Sequence, residues 1–196
     1  FVLKDATVEF AVLETARGGI LRSGLGFSRC DIAVLTNIQE DHLGISDVHN
    51  LKDLANVKGV VVEAVKEDGW AVLNADDENC VAIGKKIKHC NVAYFSLNEN
   101  NPVVDEHCRA GGIAAFCDKG FFTIKKGDWK IKVAKTSHIP VTFNGTVSFM
   151  VQNALAAALA AFLWGFKTED IRAALETFVP SPAHTPGRMN LFGFQD

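Results

Sequence analysis

The chain has 196 residues, 48% of them hydrophobic and 22% charged, with a formal net charge of −3. This is the size and balance of a globular domain, and the lack of any basic excess argues against nucleic acid or an anionic membrane surface as a partner. Its cysteines, Cys30, Cys80, Cys90, Cys108 and Cys117, are odd in number and form no C-x-x-C pair, which argues against a zinc site or disulfide framework and for a reducing, cytoplasmic setting.

Taken in chain order, short and continuously apolar runs recur: "EFAVLE" (9–14), "DIAVLTN" (31–37), "GWAVLNA" (69–75) and "NVAYFS" (91–96). Such runs read as strands buried on both faces of a parallel sheet. Helical patterns separate them. Residues 51–67 place Leu51, Leu54, Lys58, Val61 and Val65 on one face, and 77–88 form a shorter amphipathic helix. Alternating strands and helices predict an α/β fold with an open, mostly parallel sheet flanked by helices. From about 100 to 145 the turn signals "DKG" and "KGD" between alternating runs predict a small antiparallel β-sheet, inserted in or packed beside the main one. Two helices follow, at about 147–164 and from 168, the second with Thr168 as its N-cap. The apolar stretch "ALAAALAAFLWGF" is too short to span a bilayer and reads as a buried helix. The chain begins at Phe1 and stops at "FGFQD"; both ends read as cut from a longer protein, with residues 1–196 a single domain of it.

In open parallel sheets ligands bind beyond the carboxyl ends of the strands. After the first apolar run comes Glu14, after the second "TNIQEDH", after the third "NADD". One polar residue after a strand is an ordinary turn residue; three strand ends with ligand-capable side chains point to a site. Glu14, Asp41 and His42 are donors suited to a divalent cation, and Mg²⁺ needs only one or two protein ligands. Judged alone, His42 reads as a capping or core histidine. Lys58 lies on the apolar stripe of its helix, where it must snorkel, find a partner or change its charge state, the last as a carbamate. Gln152 and Asn153 stand at the start of an apolar helix, as a cap or as readers of a nucleobase edge. Arg188 follows a Pro-Gly turn, placed to meet phosphate or simply solvated. The glycine-rich "ETARGGILRSGLGF" (14–27) fits a phosphate loop, a substrate-recognition element or a strand-to-helix turn. It lacks G-x-x-x-x-G-K-[ST], as does the whole chain, and so fails as a P-loop.

"TNIQEDHLG", Lys58 sixteen residues after His42, then "VLNADD", "QNALAAALAA" and "TPGRM", in that order, resemble the central ATPase domain of the Mur ligase family. "VLETARGGILRSGLGFSRCDIAVLTNI" and "TPGRMNLF" look more like the branch that makes an arginine-bearing aspartate polymer than like the peptidoglycan or folate branches. The resemblance implies ATP and Mg²⁺ as cofactors, with Glu14 and His42 on the metal and Asn37 and Asp41 in the same loop. Asp41, His42 and Lys58 would be catalytic, Lys58 matching a lysine that is carbamylated in many members. Asn37, Asn74, Asp76, Asn153 and Arg188 would bind ATP. Arg17 and Arg22 would touch the acidic polymer. The family's phosphate loop would lie upstream of Phe1 and its last domain downstream of Asp196, leaving these residues inactive by themselves. The implied reaction forms an acyl phosphate on an aspartate β-carboxylate and couples it to arginine, in a homo-oligomeric parent protein with no nucleic acid or membrane partner. The alternatives are a Mur-type ligase for peptidoglycan precursors or folylpolyglutamate, and a non-catalytic nucleotide-binding module.

Overall fold

Strand β1 (Cys30–Leu35) opens a sheet whose order follows the chain. β2 (Val65–Asn74), β3 (Asn91–Ser96) and β4 (Ile113–Asp118) add to it in parallel. β5 (Phe121–Lys126) and β6 (Trp129–Lys135) then fold back antiparallel on β4. This computed structural model describes residues 2–39, 48–183 and 185–187. The antiparallel strands predicted from "DKG" and "KGD" exist, and of the two expected placements they take the first, within the main sheet, which they extend. β4 pairs with β3 on one edge and with β5 on the other, and its Ala114, Ala115 and Phe116 are buried.

Each parallel connection is a helix, as parallel strands require. α2 (Leu51–Glu63) links β1 to β2, α3 (Glu78–Gly84) links β2 to β3, and α4 (Pro102–Arg109) links β3 to β4. α4 falls inside the stretch read as the start of a meander. It begins at Asn101-Pro102, where the Asn101 side chain accepts from the amides of Val103 and Val104. These three helices cover one sheet face: Leu54, Val62, Cys80, Val81 and Val104 pack on Ala71, Leu73, Tyr94 and Phe116. The other face carries α5 (Ser148–Trp164), whose Val151, Leu155 and Leu159 meet Val72, Phe95, Phe122 and Ile124. α6 (Thr168–Thr177) joins that layer through Ile171. Thr168 is its first helical residue, not its cap; Lys167 holds the cap position without a side-chain bond.

Two other expectations change. The run 9–14 is not a strand: residues 10–16 have no regular structure and Val12 is 85% exposed. No described strand pairs on the free edge of β1. Instead Phe10 packs edge-on against Trp164, ring centroids 4.8 Å apart, and beside Phe166. The glycine-rich stretch that follows contains a short helix, α1 (Arg17–Ser23), packed beside α2. Among the described residues no helix is long and apolar enough to cross a membrane.

Candidate functional site

The carboxyl ends of β1, β2 and β3 lie side by side, with Leu35 in register with Leu73 and Asn74 with Phe95. The polar residues that leave these strands are tied to one another. Asn74, 2% exposed at the last position of β2, donates from Nδ2 to the Thr36 carbonyl at 2.7 Å and accepts the Asp76 amide at 2.9 Å. Lys58 on α2 is half-buried, and its Nζ donates to the Asn37 carbonyl at 2.9 Å. A lysine on the apolar stripe has thus found a backbone partner at the strand edge, which satisfies its ammonium without full solvation.

Asp76 is exposed, yet its carboxylate accepts three bonds. They come from the Ser96 hydroxyl at 2.6 Å, the Leu97 amide at 2.7 Å and Asn101 Nδ2 at 3.0 Å. It anchors the exit of β3 to the exit of β2. Leu97 also lines a cleft of about 440 Å³ with Cys117, Thr136, Asn144, Ser148 and Val151, between the ends of β3 and β4 and the first turn of α5. A volume of this order suits part of a small ligand.

The predicted residues fall into three groups. Asn37, Lys58, Asn74 and Asp76 are brought together at the carboxyl edge. Asn153 stands exposed on α5, in the layer opposite Lys58, and Arg17 and Arg22 belong to α1, where Arg22 Nε donates to the Gly18 carbonyl of its own helix. Glu14 is exposed in the irregular stretch before α1. Asp41, His42 and Arg188 lie outside the described residues. Among the described residues no three His, Cys, Asp or Glu side chains cluster as a metal site. The described candidates Glu14, Asn37 and Asp76 are all oxygen donors, the type that Mg²⁺ takes.

The sequence reading passed over Asp77, Asn79, Ser96 and Asn101. Asp77 caps α3 through Oδ1, which accepts from the amides of Asn79 and Cys80 at 2.9 and 3.0 Å, while Oδ2 accepts the Ile38 amide at 2.6 Å. Its place directly before a helical pattern was the available signal. Beneath it Cys80 is fully buried, and burial, followed by the charge of Asp77, pushes its thiol up to about 12, so it stays neutral and is no nucleophile.

The family model for the Mur ligase middle domain matches residues 1–161. Cyanophycin synthetase of Trichormus variabilis is 51% identical over 191 residues, covering 97% of this chain and 21% of that protein. Cyanophycin synthetase of Geminocystis herdmanii is 48% identical over 195 residues, covering 100% of this chain and 22% of that protein. Among solved structures, a UDP-N-acetylmuramoyl-L-alanyl-D-glutamate–2,6-diaminopimelate ligase aligns with a TM-score of 0.60 at 19% identity, over 86% of this chain and 32% of its own, a likeness of fold. The chain spans about a fifth of the length of the curated relatives it matches.

Proposed function

The chain belongs to the Mur ligase middle-domain family, and from that premise we propose that it is the nucleotide-side domain of an ATP-dependent, amide-forming ligase that attaches arginine to an aspartate polymer. The observation that carries the reading is identity of about one residue in two to cyanophycin synthetases along the whole chain. The tied carboxyl edge supports it, because this is where an open α/β sheet holds its ligand.

In this reaction an aspartate β-carboxylate oxygen attacks the γ-phosphorus of ATP, the bond to the β-phosphate oxygen breaks, and ADP leaves. The arginine α-amine then attacks the acyl carbon, loses a proton and expels inorganic phosphate, leaving an amide. Mg²⁺ would neutralise charge on the transferred phosphoryl group. Glu14 and His42 are the side chains proposed to hold it, with Asp41 beside them. Asn37, Asn74 and Asp76 are proposed to set the nucleotide against the strand ends, Asn153 to read the base, and Arg188 to meet phosphate as a rigid fork. Lys58 fixes the Asn37 carbonyl. A carbamate on its nitrogen would retain one N–H for that bond while adding an anion. Arg17 and Arg22 are proposed to face the polymer.

The test uses the longer protein that contains this chain, with a polyaspartate-based acceptor and phosphate release as the readout. Release should require arginine, and fall about 100-fold or more in His42→Ala and Lys58→Ala, the scale for losing one electrostatic contact to the transition state. Release indifferent to the amine, or unharmed by both substitutions, would overturn the reading.

A further inference from the structure

Three consecutive residues leaving β1 have every carbonyl held by a side chain. Thr36 is held by Asn74 Nδ2 at 2.7 Å, Asn37 by Lys58 Nζ at 2.9 Å and Ile38 by Asn79 Nδ2 at 3.3 Å. The Ile38 amide completes the set by donating to Asp77 Oδ2 at 2.6 Å. The holding groups come from α2, from the end of β2 and from the start of α3, so three elements converge on one short segment. An ordinary strand exit needs no such support, since its backbone reaches water. Here Ile38 is 2% exposed, and its amide has no solvent to turn to.

We propose that Asp77 is a positioning residue for the ligase reaction, fixing through the Ile38 amide the backbone that presents the Asn37 side chain to the nucleotide. The inference rests on the reading above, in which Asn37 contacts ATP. One carboxylate serves two elements: Oδ1 caps α3 and Oδ2 holds the β1 exit, so the helix start and the loop keep one relative placement. The bond to Ile38 is short because its acceptor is charged. A ligand-bearing loop held from several sides keeps its geometry where an unsupported one drifts.

The two jobs separate experimentally. Serine is a good N-cap but is too short to reach Ile38. In the intact protein, Asp77→Ser should keep wild-type exchange protection along α3 while the Ile38 amide exchanges faster. KM for ATP should rise about 10-fold or more as the contact is misplaced, with KM for arginine unchanged. A fold defect alone would lower kcat and leave both KM values in place, and that result would overturn the proposal. So would fast Ile38 exchange with wild-type ATP kinetics, or unchanged Ile38 exchange. If Asp77→Ser unfolds early, Asn79→Ala, which releases only the Ile38 carbonyl, must raise KM for ATP in the same selective way. Wild-type protein that releases no phosphate from ATP with any amine would instead overturn the ligase reading, with Ile38 exchange still judging the tether.

Discussion

Tyr94 and His107 pack edge to face, centroids 5.0 Å apart, between two glycines. A Cβ on Gly84 would fall onto the Tyr94 hydroxyl and press Leu73, and one on Gly112 would fall onto the His107 imidazole. Neither glycine has a positive φ, so what they provide is room. Gly84→Ala should therefore destabilise the fold by about 1–3 kcal/mol, the usual cost of overpacking, outweighing the better helix propensity of alanine. A urea midpoint at or above wild type would contradict the close approach. His107 carries a pH signature as well. Burial holds its pKa below the ordinary 6.5, against the opposing effect of hydrogen bonds to the Val92 and Ile113 backbone. The unfolded chain then binds more protons as pH falls through 6.5, so this contribution is fully present above that value and is lost on acidification. Urea midpoints at pH 7.5 and 5.5 should show stability dropping in the wild type, with a smaller drop in His107→Gln.

At the level of elements, α4 depends on Asn101 more than its length suggests. Oδ1 accepts from the amides of Val103 and Val104, while Nδ2 donates to the Ala75 carbonyl and to Asp76. Asn101→Ala removes the cap, worth about 1 kcal/mol. It also leaves a carbonyl at a site 7% exposed, adding about 1–3 kcal/mol for an unpaired buried group. A loss of about 2–4 kcal/mol in thermal or urea unfolding is the expected result. The same residue explains what was legible in the sequence. Strands β2 and β3 could be read because their runs are buried on both faces, β1 because its run is apolar although Val34 is 40% exposed, α2, α3 and α6 because of their periodicity, and α5 because of its long apolar run. α4 was missed because its Asn-Pro start was outweighed by the turn-rich texture after it. The run 9–14 misled because apolar composition marks a wish for burial, not a partner strand; Phe10 meets that need on Trp164. Of the edge residues, Asn37, Asn74 and Asp76 were legible as strand-end polar groups and Lys58 as a lysine on the apolar stripe of its helix. Asp77 was not singled out, since one letter cannot reveal that a carboxylate serves two elements.

Across the whole molecule, helices lie on both faces of the described sheet; Asn37, Lys58, Asn74 and Asp76 meet at its carboxyl edge, and Asn153 stands exposed on α5 in the opposite layer. What this chain lacks is equally specific. No G-x-x-x-x-G-K-[ST] occurs in its 196 residues, and that loop is what grips phosphates and Mg²⁺ in P-loop proteins. A nucleotide meeting these residues alone would have the proposed base contact and Arg188 as its proposed phosphate contact, without the amide cradle and lysine of such a loop. Titrated calorimetrically with ATP, the chain alone should bind with a dissociation constant of about 1 mM or weaker, roughly 4 kcal/mol of binding free energy. Adenosine should compete, more weakly than ATP because it lacks the phosphate that Arg188 would meet, and no phosphate should be released. Micromolar ATP binding that adenosine cannot displace would place a phosphate grip inside these residues and contradict the division of labour. Binding of neither ligand would leave the carboxyl edge as a structural bracket, favouring the non-catalytic reading for this chain.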